Sequence, residues 1–432
     1  MRLLPLIVLV LILMLPLRLF SQQPQISVVS VHGPINPVTA NYLKKNLAAA
    51  GSRGDRLLLV EMDTPGGLDS AMREAVQAIF ASSVPVAVYV TPSGARAASA
   101  GAVIGLAADI LAMAPGTNIG AAHPVTMGGD KPDKVMEAKV VNDAEAYLDG
   151  IARKRGRNVE VARKMVRESI SLSAEAALQQ KVIDLVAADR QELLAKLEGY
   201  KVVRGGKEME LRLSGARVTS HDMGTRDKIL DAISNPDVAY VLMLLGILGL
   251  FFELSNPGVI LPGVIGGISL LLAFFAFQTL PVNYAGVALI LLAIILFIAE
   301  IKVVSYGMLA VGGIVSMVLG SLMLFPSPEP YLRLSWSVIL VTVLTTTVFF
   351  VVVVAKVIEA HRQKPITGVE GMVGEEGVAD SDIMPEGKVV LRGEYWNAVS
   401  SAPIRKGEKV QVVAVKGLQL TVKKLASDSQ EA

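Results

Sequence analysis

One serine, Ser99, stands in the run Gly94-Ala95-Arg96-Ala97-Ala98-Ser99-Ala100-Gly101, between an apolar stretch (Val84 to Val90) and a second one (Ala100 to Ala108). The first reads as a strand and the second as a helix, which puts the hydroxyl at a helix N-terminus. Unpaired backbone N–H groups and the positive end of the helix dipole favour developing negative charge there. One strand–loop–helix unit earlier lies Asp63-Thr64-Pro65-Gly66-Gly67, whose paired glycines can turn N–H groups toward the same spot. Small residues beside Ser99 would let a substrate backbone approach. These are the parts of a nucleophile with an oxyanion hole. A serine here can equally be an ordinary N-cap in a Gly/Ala-rich turn.

A serine hydroxyl is a weak nucleophile at neutral pH unless a base takes its proton. Lys139 follows Ser99 by 40 residues, and its neighbours Met136, Val140 and Val141 are apolar. A lysine acts as a base only when desolvation favours its neutral form. The ordinary alternative is a helical ion pair with Asp143, four residues on. His123, in Gly120-Ala121-Ala122-His123-Pro124, is the other candidate base, although it would need a carboxylate to fix its tautomer.

The elements that must position these residues alternate. Ile26 to Val31, Leu57 to Met62, Val84 to Val90 and Ile110 to Met113 read as strands, while Val38 to Ala50, Leu68 to Ala81 and the segment after Ser99 read as helices. Such βα repetition predicts a parallel sheet. A long helix is expected over Asp133 to Arg155, shorter ones over Val159 to Arg167 and Ala174 to Lys181, and a hairpin within Tyr200 to Val218 around Gly205-Gly206.

The whole chain of 432 residues is 52% hydrophobic, with a mean hydropathy of +0.52. That is too apolar for one soluble domain, and the excess is localised. Val238 to Glu253, Val259 to Phe277, Tyr284 to Ala299, Val303 to Phe325 and Trp336 to Ala355 are five nearly uncharged stretches near the length of about 20 residues that spans a bilayer. Residues 1–21 have the layout of a secretory signal or an uncleaved anchor. Lys356, Arg362 and Lys364 follow the last span and predict a cytoplasmic C-terminus. Five crossings then leave the βα domain outside, in agreement with the signal.

Glu253, Gly258, Gly263 and Gly267 are echoed by Glu300, Gly307, Gly312 and Gly313, a weak repeat of a carboxylate, a Gly-rich turn and a new span. Close helix packing accounts for it more simply than a transport site. Beyond Pro365 the pattern is all β: Gly371 to Ala379, Lys388 to Ser400, Lys409 to Val415 and Gln419 to Lys424 predict a small five-stranded barrel. With 41 basic and 39 acidic residues the net charge is +2, which does not favour a nucleic-acid partner. There is no cysteine and there are four histidines, none spaced as a helical metal pair, so no thiol nucleophile is available and neither a metal nor a cofactor is expected.

The Asp-Thr-Pro-Gly-Gly loop, the loop around Ser99 and Lys139-Val140-Val141-Asn142-Asp143 together resemble the long form of the NfeD membrane proteins. Glu253, Pro257-Gly258 and Pro262-Gly263 extend the resemblance into the membrane segment. It implies a signal or anchor over 1–21, a ClpP/crotonase-like α/β serine protease domain over 22–225 and an all-α five-span domain over 236–356. An all-β OB-like barrel over 365–425 and a polar tail over 426–432 would complete the chain.

By motif match the resemblance implies Ser99 as nucleophile, Lys139 as base and the N–H groups of Gly67 and Ala100 as oxyanion donors. It further implies cleavage of hydrophobic segments of a stomatin-like membrane protein. In ClpP itself the base is a histidine near where His123 falls. Its aspartate partner corresponds here to Ser169, beside Glu168 and before Leu172-Ser173-Ala174, so that triad is incomplete. Lys181 stands where related sequences often have Gly, which would shift the end of its helix.

The expected setting is therefore the cell (inner) membrane, with the protease domain extracytoplasmic, the barrel cytoplasmic and the chain a homo-oligomer, a dimer or larger. Two other readings compete. A crotonase-type oxyanion site for acyl-CoA chemistry conflicts with export, since CoA esters are cytosolic. A non-catalytic scaffold organising stomatin-like proteins would use only the spans and the barrel.

Overall fold

The computed structural model describes residues 24–125, 133–255, 258–303, 305–362 and 369–425. The expected signal or anchor and the polar tail lie outside these residues. The chain divides into two compact units, one formed by Met1–Leu296 and Val311–Leu344, the other by Phe297–Ala310 and Thr345–Ala432.

Numbered in chain order, the first unit begins β1 (Gln25–His32), α1 (Pro37–Arg53), β2 (Leu57–Asp63), α2 (Asp69–Ala81), β3 (Val86–Val90), β4 (Arg96–Ala98), α3 (Ala100–Ala107), β5 (Ile110–Met113) and β6 (Asn118–Gly120). It continues α4 (Lys134–Arg155), α5 (Val159–Arg167), β7 (Ser171–Ser173), α6 (Ala174–Gln179), β8 (Leu185–Val186), α7 (Arg190–Leu197), β9 (Lys201–Arg204), β10 (Lys207–Glu210), β11 (Arg217–Ser220) and α8 (Thr225–Ile233).

Six strands form one parallel sheet in the order β11-β1-β2-β3-β5-β8. Their runs, such as Leu57 to Val60 and Val86 to Val90, are buried on both faces, as a sheet covered on both sides requires. A second, small layer lies at the C-terminal ends of these strands. β4 pairs β6 in parallel, β6 pairs β7 antiparallel, and single bridges join Thr64 to Ala97 and Ile35 to Gly67. β1, β2 and β3 each run into this second layer before their helix starts. The chain therefore repeats strand, short strand, helix, and the N-termini of α2 and α3 begin at the small layer.

The Gly205-Gly206 hairpin forms as β9 and β10, with both glycines at positive φ. The following strand was not expected: β11 pairs β1 and closes the edge of the main sheet. α6 ends at Gln179, and Lys181 adopts a left-handed φ of 57°. Asn36 Nδ2 donates to Asp231 Oδ1 at 2.7 Å and fastens helix α8 to the start of α1.

Apolar helices follow: α9 (Pro236–Ser255), α10 (Ile260–Phe277), α11 (Tyr284–Lys302), α12 (Met308–Leu324) and, after a 3-10 turn at Pro330–Leu332, α13 (Trp336–Arg362). Four segments, Pro236–Ser255, Ile260–Phe277, Tyr284–Lys302 and Pro330–Val352, are long and apolar enough to cross a membrane. The fifth expected span is shorter, the 17-residue helix α12.

Close packing in this segment runs through glycines, as in other membrane helix pairs. A Cβ on Gly249 would lie 2.6 Å from the Pro262 carbonyl oxygen, and one on Gly320 2.8 Å from that of Gly286. Those are mostly not the glycines of the sequence repeat: Gly267 meets nothing within 4 Å and Gly312 only Leu296 at 3.6 Å. What the two halves share is a carboxylate lying against the start of the next helix. Glu300 accepts from Gly307 N at 3.0 Å and Ala310 N at 3.1 Å, and the Glu253 carboxylate sits against Gly263 in the first turn of α10.

In the second unit β12 (Glu376–Ala379), β13 (Glu386–Leu391), β14 (Glu394–Val399), β15 (Lys409–Lys416) and β16 (Gln419–Lys424) close a barrel in the order β12-β13-β14-β16-β15. Ile383, Val389, Leu391, Val410, Val412, Leu420 and Val422 fill it. The single run expected over Lys388 to Ser400 is split at Arg392-Gly393, both at positive φ.

Candidate active site

Ser99 links β4 to α3 with φ 50° and ψ −115°, a sparsely populated conformation for a residue with a Cβ. It makes no side-chain cap hydrogen bond to its helix, so the N-cap account does not describe it. Its N–H donates to Gly120 O at 2.9 Å, while Thr64 N donates to Arg96 O (2.8 Å) and Ala98 N to Thr64 O (3.1 Å). Asp63 Oδ1 accepts from Arg96 N at 3.0 Å. The small layer thus holds the strained turn from both sides.

Glycine is required opposite it. Gly66 has φ 122°, and a Cβ there would lie 2.7 Å from Ser99 Cβ and 3.3 Å from Ser99 Oγ. A Cβ on Gly67 would meet the Ile35 carbonyl oxygen at 2.1 Å. Around Gly67, Ile35 N donates to Gly66 O (2.7 Å) and Leu68 N to Ile35 O (2.9 Å). That leaves the Gly67 N–H without a backbone acceptor among the described residues. Ala100 is the first residue of α3, so its N–H has no intrahelical acceptor either.

A cleft of about 570 Å³ opens here, lined among others by Gly67, Ser99, Ala100, Val103, Lys139 and Tyr147. Ser99 and Lys139, 40 residues apart in sequence, therefore share one cavity. Lys139 is exposed on α4. The ion pair expected as its ordinary alternative is absent, because Asp143 pairs instead with Arg73 of α2. Arg73 also binds Asp69 at 2.9 Å and lies 4.4 Å over the Tyr147 ring. Burial pushes the Tyr147 phenol up, and the Arg73 charge opposes that shift. No carboxylate pairs with Lys139 among the described residues.

His123 does not line the cleft. Its Nδ1 lies 2.7 Å from Val166 O, and both Glu168 and Ser169 are exposed with no bond to it among the described residues. Ala97 and Gly101 do not line the cleft either. Ala97 is fully buried, and a Cβ on Gly101 would meet Thr64 Cγ2 at 2.3 Å. The smallness of these two residues serves helix packing, and of the small neighbours only Ala100 faces the cavity. Glu329 and Tyr331, from the turn before α13, were not anticipated and line it too.

Three family models match successive segments: NfeD1b, N-terminal domain, over residues 25–200; NfeD integral membrane domain over 237–356; and NfeD-like C-terminal, partner-binding domain over 369–424. The membrane-bound protease PH1510 of Pyrococcus horikoshii is 36% identical over 407 residues, covering 91% of this chain and 92% of that protein. The chain belongs to the NfeD family. Membrane protein NfeD1b of Bacillus subtilis is 26% identical, covering 94% of each chain. Among solved structures, a mutant of the 1510-N membrane-bound stomatin-specific protease in complex with a substrate peptide is 32% identical. It covers 49% of this chain and 98% of that one, with a TM-score of 0.46. The NfeD integral membrane domain and the four long apolar helices make this a membrane protein.

Proposed function

We propose that this NfeD chain is a membrane-bound serine endopeptidase in which Ser99 is the nucleophile and Lys139 the base. The observation that carries this is the strained, uncapped Ser99 sharing a cleft with a lysine that has no carboxylate partner among the described residues. The neutral Lys139 amine takes the hydroxyl proton as Ser99 Oγ attacks the scissile carbonyl. The N–H groups of Gly67 and Ala100 hold the oxyanion. The resulting ammonium returns its proton to the leaving amine, and water then hydrolyses the acyl-enzyme. His123 Nδ1 is engaged by Val166 O and His123 does not line the cleft, which supports lysine over histidine.

Lys139 is exposed, so a bound apolar segment must exclude water for the amine to serve as base. Leu68, Met72, Val103, Val125 and Val140 supply apolar walls for such a segment. The similarity to the membrane-bound protease PH1510 supports proteolysis, and the substrate of this reading is a hydrophobic segment of a stomatin-like protein. The catalytic domain, taken as 22–225, would act outside the cytoplasm, with 236–356 in the bilayer and 365–425 inside as an OB-like barrel. The purified full chain should cleave a peptide rich in Val, Ile and Leu, and Ser99→Ala should reduce cleavage to background. Cleavage undiminished by that change would rule out Ser99 as the nucleophile, and no cleavage by the parent chain would leave it a scaffold.

A further inference from the structure

Tyr331 belongs to the 3-10 turn Pro330–Leu332 between α12 and α13, yet it lines the same cleft as Ser99 and Lys139. The Cβ position of Gly66 lies 3.3 Å from Ser99 Oγ and 3.3 Å from Tyr331 Oη. The two hydroxyls therefore flank one point over the Gly66-Gly67 loop.

The turn that carries Tyr331 is a built feature. Leu332 is buried, Arg333 donates to the carbonyls of Ser327 and Pro328, and Ser335 N donates to Asp237 Oδ1 at 2.8 Å. The phenol is only partly exposed, and its hydroxyl has no hydrogen-bond partner among the described residues. The cleft remains about 570 Å³ with the ring in place, so Tyr331 is a wall and not a plug. On the far side of Gly67, Leu68 and Tyr331 lies a second cavity of about 150 Å³, lined also by Ile35, Pro236, Leu280 and Leu332.

We infer that Tyr331 contacts the substrate, its hydroxyl donating a hydrogen bond to a main-chain carbonyl of the peptide lying over Ser99. On this inference, which rests on the endopeptidase reading, the membrane segment completes an active site otherwise built by the N-terminal domain. A phenol held by a packed turn is pre-oriented, so the bond forms with little ordering cost. An extended peptide presents a carbonyl at every residue, so such a donor fixes its register without demanding a particular side chain.

The test uses the full chain in nanodiscs and an apolar peptide, with Ser99→Ala as reference. Tyr331→Phe keeps the ring and should lower kcat/KM by up to about tenfold, the value of one uncharged hydrogen bond. In the Ser99→Ala chain, adding Tyr331→Phe should weaken binding of the same labelled peptide, read by fluorescence anisotropy. A kcat/KM within twofold of the parent for both Tyr331→Phe and Tyr331→Ala, or a rise in either, overturns the inference. Loss in Tyr331→Ala alone, with Tyr331→Phe unchanged in rate and binding, also overturns it, since only the ring would then matter. If Ser99→Ala cleaves like the parent, the endopeptidase reading fails, and the anisotropy comparison still decides whether Tyr331 holds peptide.

Discussion

At the scale of residues, the site depends on positions where one atom more would not fit. A serine at φ 50° costs of the order of 1–3 kcal/mol, so the surrounding bonds must over-determine it. Gly66 lies directly against it. Gly66→Ala would place a methyl group 2.7 Å from Ser99 Cβ at a backbone angle that alanine avoids. It should lower peptide cleavage by about a hundredfold or more, as the loss of an oriented donor does, while circular dichroism shows the chain still folded. Wild-type turnover in a folded Gly66→Ala chain would refute this close approach. Lys139→Ala should cost several orders of magnitude in kcat and His123→Ala little, because His123 Nδ1 is engaged by Val166 O and His123 is not among the residues lining the cleft. The opposite ranking would move the base to His123.

At the scale of elements, legibility followed length and burial. β1, β2 and β5 are long enough, or apolar enough, to be read within a residue or two of their ends, and α5 was read to the residue. The three-residue strands β4, β6 and β7 were not, because three residues carry no alternation and their pairing comes from tertiary contacts. β11 was hidden for the same reason: only its register with β1 makes Arg217 to Ser220 a strand. Ser99, Lys139 and the Gly66-Gly67 loop stood out by residue type, whereas Tyr331 lies in a short polar connection with no period.

The α4–α5 pair gives a pH test. Hydrogen bonds from Arg153 and Arg163 hold the Asp149 carboxyl below its ordinary value of 3.8. A lowered folded-state value stabilises the folded chain above that pH, and the contribution is lost as pH falls through and below it. Asp149→Asn should therefore lower Tm more at pH 7 than at pH 3. An equal decrement at both values, measured by scanning calorimetry on the full chain, would show that Asp149 acts by packing and not by charge.

At the scale of the whole molecule, the number of crossings decides on which side each end of the chain works. Four helices are long enough by themselves, and an even count would leave the barrel on the same side as the N-terminal domain. The fifth, α12, has 17 residues, so at 1.5 Å per residue it reaches about 26 Å against a hydrocarbon core of about 30 Å. A shortfall of a few ångströms costs only fractions of a kcal/mol per Å and is met by local thinning. The backbone contact between Gly286 and Gly320 ties α12 along α11 at the separation two spanning helices adopt. With five crossings the positive-inside tendency would be met, since the sequence carries Lys356, Arg362 and Lys364 after the last apolar stretch. Five crossings are therefore expected. A reporter fused after Leu425 should be active only as a cytoplasmic fusion, and one inserted at the exposed Gly205-Gly206 turn only as an external one. If protease added to intact cells removes the C-terminal reporter, α12 does not cross. The barrel would then share a compartment with the cleft.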